Sequence, residues 1–193
     1  MSLSAFETAL VNNISEAMAK ALEAAIVAGT GTNQPTGVLA DVSKASGNFA
    51  LNKLTYKDLV SAEAALPMEY EANAVWVMTK KTFGEFVGMT DQAGQPIARV
   101  NYGMAGAPER VLLGRRVVLT NYLPSFTDSL TTADVFAFIY DFSDYVLNTN
   151  LQFGMKTYED NDTDDIVRKS IMVVDGKPVD MSSLVVLTGK ATK

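Results

Sequence analysis

The order of elements predicts an α+β fold. One long, alanine-rich stretch with helical apolar spacing opens the chain, and short apolar runs separated by turn signals fill it from about residue 111 onward. Helix comes first and sheet later. The chain has 193 residues, 48% of them apolar and 20% charged, which suits one soluble globular domain or two intimately packed lobes. A chain of this length buries roughly 70% of its unfolded surface, enough for a core without staples.

Phe6, Leu10, Ile14, Met18, Leu22 and Ile26 recur every four residues, so residues 4–28 read as one helix. Ala17, Ala19, Ala21, Ala24 and Ala25 favour helix and leave its flanks slim. Gly29 ends it, and Gly29 to Leu39 is dense in turn formers. Residues 40–53 read as a polar loop, with Gly47 and Asn48 as its turn. Thr55 is a candidate N-cap for a helix over Tyr56 to Leu66, which Pro67 closes. Ala74 to Met78 reads as a buried strand, and Thr79 caps a further helix to about Met89. Asp91 to Pro96 is a turn, and residues 97–109, rich in small residues, read as an exposed loop. Strands follow over Val111–Leu113, Val117–Thr120, Val135–Tyr140, Tyr145–Tyr158, Ile166–Val174 and Leu184–Leu187. Leu151, Phe153 and Met155 alternate most clearly, and Asp175 to Pro178 reads as a turn before the last strand. There is no internal repeat and no low-complexity tract.

Composition narrows the chemistry. With no cysteine and no histidine, disulfides, thiolate nucleophiles, Ser-His-Asp arrangements and the commonest zinc ligands are all excluded. An enzyme would have to work with Asp, Glu, Lys or Tyr. The net charge of −6 suggests no basic patch for reading nucleic acid. No apolar run has the length of a membrane span, and the start lacks the signature of a signal peptide, so a cytoplasmic chain is expected, with Met1 to Leu3 as a leader.

Four features are candidate sites. Gly29 and Gly31 suggest a phosphate loop, but no Lys-Ser or Lys-Thr follows, and the loop comes after a helix rather than a strand. Asp160, Asp162 and Asp164 have calcium-loop spacing, but Asp165 stands where the turn glycine belongs and Ile171 where the bidentate glutamate belongs, so a solvated acidic turn is the better reading. Glu69 and Glu71 are candidate paired carboxylates, with a solvated surface as their default. Trp76 lies inside an apolar run and reads as core. No catalytic, cofactor-binding or metal-binding residue is assigned, and no cofactor is expected.

The motifs, taken in order, resemble the C-terminal two-thirds of major capsid proteins of tailed phages and prophages of the Hong Kong 97 type. Gly29, Gly31, Pro35, Gly37, Val38 and Leu39 match the family's G-x-G-x-x-x-P-x-G-[IV]-L loop after a long helix. Asp91, Gly94 and Pro96 match its D-x-x-G-x-P turn; Leu112, Gly114 and Val117 match L-x-G-x-x-V; Leu123 and Pro124 match the stop after it. The strand Val135 to Tyr140 ends on Asp141, with Tyr140 where the family has glycine. The resemblance spans essentially the whole chain. It implies a Hong Kong 97-like capsid fold with a long spine helix, a peripheral lobe (residues 4–54 and 145–193) and an axial lobe (residues 55–144). The family's N-terminal arm and extended loop have no counterpart here, so a trimmed piece or proteolytic core of a longer chain is expected.

The function so implied is structural: a non-enzymatic subunit, self-assembling into pentamers and hexamers when full length, that encloses double-stranded DNA in an icosahedral shell. Its partners would be copies of itself, then scaffold, maturation protease and portal, with weak non-specific contact to packaged DNA and none to membrane. Its location would be the virion capsid, and the bacterial cytoplasm before assembly. The loop from Gln95 to Arg110, including Tyr102, is the candidate for contacts around the capsomer axis. Three other readings stay open: an encapsulin-type compartment shell, a small carboxylate-dependent enzyme, and a plain α+β interaction domain.

Overall fold

The computed structural model describes residues 3–90, 94–96, 98–101, 109–127, 134–160 and 165–190. The chain divides into two compact units, residues 1–40 with 146–178, and residues 41–145 with 179–193.

The first unit holds helix α1 (Leu3–Ala28) and a two-stranded sheet of β7 (Tyr145–Asp160) and β8 (Asp165–Pro178). At 26 residues the helix is about 39 Å long. The helix packs on β8, and Arg168 pairs with Glu7. Cover along the helix is thin, because no described side chain from Phe6 to Ala24 is buried. Burial concentrates where the helix ends, at Ala25, Val27, Pro35 and Val38. The loop there folds back on the helix: the Gly37 N–H donates to the Gly29 carbonyl and the Thr36 N–H to that of Gly176. A β-carbon at Gly37 would lie 2.4 Å from the Gly29 nitrogen, and one at Gly29 would lie 2.2 Å from the Pro35 carbonyl oxygen. Only glycine permits that approach.

The second unit is built on a seven-stranded mixed sheet in the order β1-β9-β6-β2-β5-β4-β3. The strands are β1 (Gly47–Leu51), β2 (Val75–Met78), β3 (Ala98–Asn101), β4 (Glu109–Leu112), β5 (Arg115–Leu119), β6 (Val135–Tyr140) and β9 (Val185–Gly189). β1 runs parallel to β9 and β2 parallel to β5; the other pairs are antiparallel. Helices α2 (Tyr56–Ala64) and α3 (Lys80–Val87) supply Leu59, Ala62, Phe83 and Phe86 to a core with Trp76, Met78, Phe136, Ile139, Val185 and Leu187. Val77, Phe138, Tyr140 and Val186 alternate with these and are buried too, so the central strands are covered on both faces. Thr55 and Thr79 cap α2 and α3 as expected, their hydroxyls accepting from the Asp58 and Thr82 N–H groups.

Three expectations are corrected. Residues 40–53 are not a loop: a 3-10 helix over Val38–Lys44 precedes β1, whose partner β9 lies far along the chain and overrides the turn preference of Gly47-Asn48. Residues 98–101 are strand, because Ala98 is small enough to be buried opposite Leu112; residues 102–108 lie outside the described residues. Asp175 to Pro178 continue β8 rather than turning. The unit boundary also differs from the expected lobes. β1 and β9 are sheet neighbours of β6, so residues 41–54 and 179–190 go with the sheet and not with the long helix.

Candidate functional site

The candidate features of the sequence are scattered over the structure. Gly29 and Gly31 belong to the loop that closes the end of α1, and its glycines are needed for backbone approach and for φ +78° at Gly31. Asp162 and Asp164 lie outside the described residues, as does the side chain of Asp160. Glu69 and Glu71 are exposed, and Trp76 is fully buried. Gln95 is exposed, Arg110 is half-buried on β4, and Tyr102 lies outside the described residues.

The most organised polar arrangement centres on Arg115, which none of those readings singled out. Its side chain is 8% exposed. Nε and one terminal nitrogen donate to Glu63 Oε1 at 2.9 and 2.6 Å. The other terminal nitrogen donates to the carbonyls of Glu71 and Ala74 at 2.7 and 2.9 Å. One side chain thus ties α2 to the turn that feeds β2. The signal was available in sequence: with Val117 facing the core, period two puts Arg115 inward as well. Two adjoining cavities flank it. One, of about 470 Å³, is polar and holds Asn73, Gly114 and Arg116. The other, of about 460 Å³, is walled by Val60, Leu66, Met68 and Leu113. Both are also lined by Glu63 and Glu71.

A second polar cluster surrounds Asp180. Its carboxylate accepts from the Tyr70 hydroxyl at 2.7 Å, and its carbonyl accepts from the Tyr140 hydroxyl at 2.8 Å. The Tyr70 bond, followed by bonds from Ser182, holds the Asp180 pKa down at about 2, and Asp180 in turn pushes Tyr70 up to about 12. Burial, then the charge of Asp144, raises Tyr140. Burial, then Asp141 and Asp180, raises Asp144. The Tyr70–Asp180 pair is pushed away from neutrality on both sides, the reverse of what proton transfer at pH 7 asks for. Among the described residues no group of three or more His, Cys, Asp or Glu could hold a metal ion.

The remaining feature is apolar surface. In the first unit Phe6, Val146, Leu147, Tyr158, Ile166 and Val173 are all exposed, Ile166 to 68%. Two strands and one helix cannot hide both faces of each element, so these apolar side chains lie on the outside of the unit.

Several solved structures share this fold. The chain matches the capsid of an empty GTA particle with a TM-score of 0.76 at 25% identity, covering 96% of this chain and 66% of that one. It matches a chain of Gordonia phage Cozz at a TM-score of 0.61 and 16% identity, covering 100% and 68%. The holo-SrpI encapsulin complex of Synechococcus elongatus matches at 0.68 and 12%, covering 95% and 65%. The chain therefore spans just under two thirds of the length of the GTA capsid chain. No curated protein sequence matches it. The fold is α+β and Hong Kong 97-like, as the motif order implied. A family model described as the phage capsid family covers residues 1–189, nearly the whole chain, and the protein belongs to that family.

Proposed function

We propose that the chain is the shell-building part of a phage or prophage capsid subunit. It assembles with copies of itself into pentamers and hexamers that enclose double-stranded DNA, and it works through surfaces without catalysing a reaction. The observation that carries this reading is the family match over residues 1–189. The exposed apolar side chains Phe6 on α1, Val146, Leu147 and Tyr158 on β7, and Ile166 and Val173 on β8 support it, because a free monomer gains nothing from them. On this reading the unit with α1 is the peripheral lobe and the seven-stranded unit is the axial lobe. Scaffold, maturation protease and portal are its further partners, and the bacterial cytoplasm is where it waits before assembly. The net charge of −6 favours weak contact with packaged DNA.

Repeated heterologous contacts close into rings, and each can be modest because the shell multiplies it. The test is negative-stain microscopy of the full-length parent protein expressed with its upstream neighbours. Closed particles or uniform rings are expected; a monodisperse monomer under all conditions refutes the reading. The similarity in fold to an encapsulin favours one rival, a cargo-holding compartment, and the particle contents separate the two: nucleic acid for a capsid, protein for a compartment.

A further inference from the structure

We infer that subunits meet head to tail through the two ends of the parallel β2–β5 pair, the lysines at one end entering the acidic, apolar-walled cleft at the other end of the next copy. This rests on the shell reading above and names the surface that reading leaves open.

β2 and β5 run side by side with Trp76 opposite Val117 and Met78 opposite Leu119. Both therefore start at one edge of the unit and finish at the other. Arg115, Glu63 and Glu71 mark the starting edge. Thr79, Lys80, Lys81 and Ser125 line a cavity of about 560 Å³ at the finishing edge, where β5 has run on past Leu119. Five steps of chain separate Ala74 from Thr79, roughly 16 Å if extended. The two cavities cannot serve one small ligand together, but they can meet across two copies.

Their chemistry is complementary. Lys80 and Lys81 are exposed, and among the described residues neither forms an ion pair. The cleft offers what a lysine side chain uses, an apolar wall for the stem and carboxylate for the ammonium. Val60, Leu66 and Met68 form the wall, and Met68 is 87% exposed. Glu71 contributes only its carbonyl to Arg115, leaving its carboxylate for a partner. Glu63 spends Oε1 on Arg115, while Oε2 is buried with no hydrogen-bond partner among the described residues. With Glu63 committed to Arg115 and its Oε2 buried, Glu71 is the carboxylate that a lysine from outside can reach. Arg115 lines both cavities and Arg116 the polar one alone, so the apolar-walled cleft carries the fewer cations and is the better seat for a lysine. Two copies of net charge −6 repel at a distance, so a contact that seats cations on carboxylates also offsets that repulsion. Opposite ends of one subunit in contact make a heterologous interface, the kind that closes rings.

The test uses the full-length parent protein and charge reversal. Lys80→Glu with Lys81→Glu, and separately Glu71→Lys together with Glu69→Lys, the exposed glutamate two residues before it and outside the cleft lining, should each lower ring or particle yield more than tenfold. The four changes together should restore assembly of the swapped chain with itself. Trp76 emission at the wild-type wavelength shows that each variant is folded. Wild-type yield from either two-site variant overturns the inference, as does a folded four-site variant that fails to assemble. Normal particles of the Lys80→Glu, Lys81→Glu variant with a lowered nucleic-acid content also overturn it, since those lysines would then face DNA. If the wild-type protein itself forms no particle, the shell reading falls first, which is a different failure.

Discussion

Replacing Arg115 with methionine should unfold the sheet-bearing unit far more easily while leaving the helix-bearing unit almost untouched. The guanidinium makes four hydrogen bonds, two to Glu63 and one each to the Glu71 and Ala74 carbonyls. Removing one partner of a buried charge pair costs about 3–5 kcal/mol. The Glu63 side chain is 24% exposed, so water recovers part of that once the pair is broken. The stranded carbonyls cost roughly 1 kcal/mol or more each where water cannot reach them. A net loss of about 3 kcal/mol follows, or roughly 6–12 °C in Tm for a chain of this size. The single tryptophan, Trp76, is fully buried on β2, so its fluorescence in urea reports this unit alone. Far-ultraviolet dichroism weights α1 and reports the other. Arg115→Lys should fall in between, since an ammonium keeps the charge but cannot span three acceptors in the guanidinium's fixed fork. A loss below about 1 kcal/mol in the Trp76 transition would refute the idea that Arg115 joins α2 to the sheet.

The glycines make opposite predictions. Gly37→Ala places a β-carbon against the Gly29 and Ala28 nitrogens and should cost about 1–3 kcal/mol, read by dichroism at 222 nm. Gly84→Ala meets nothing within 4 Å on α3 and should raise the Trp76 midpoint by about 0.5–1 kcal/mol. Asp180 has a folded pKa lowered to about 2 from 3.8, so its stabilisation is complete above pH 3.8 and is lost as pH falls toward 2. In Tyr70→Phe, carbon-detected titration should show Asp180 moving back toward 3.8, with a shallower loss of stability in acid. Asp144 has the opposite sign: its raised pKa means the folded state favours the protonated form, so Asp144→Asn should raise the midpoint at pH 7 and leave it unchanged at pH 3. Equal effects at both pH values would mean that the side chain acts through packing instead.

How much of this was legible in sequence depends on how local its cause is. α1 was readable because four-residue spacing and alanine content act within one turn. The caps Thr55 and Thr79 were readable because a cap is chemistry over three residues. β1 was not, since a five-residue strand beginning Gly-Asn looks like a turn until β9, more than 130 residues away, supplies its hydrogen bonds. β8 was cut short for the same reason: Gly176 looks like punctuation, whereas its carbonyl is bonded to Thr36. Pairing, not chain order, sends β1 and β9 to the sheet, and no local signal in either segment carries that. Of the candidate site residues, Glu71 proved to sit in the Arg115 arrangement, but through its carbonyl, which no side-chain motif could reveal. Arg115 itself was within reach of period-two reasoning on β5, had the inward position of a charged residue been treated as a signal.

The central claim, that function lies in surfaces covered by neighbours, is tested most directly by amide hydrogen exchange on the assembled full-length particle against its dissociated subunit. The account predicts slowed exchange on assembly in α1 around Phe6 and in β7 and β8 around Val146, Leu147, Tyr158, Ile166 and Val173, whose side chains lie open in the single chain, with little change in the already buried β6. Identical exchange in particle and free subunit at those positions would contradict it.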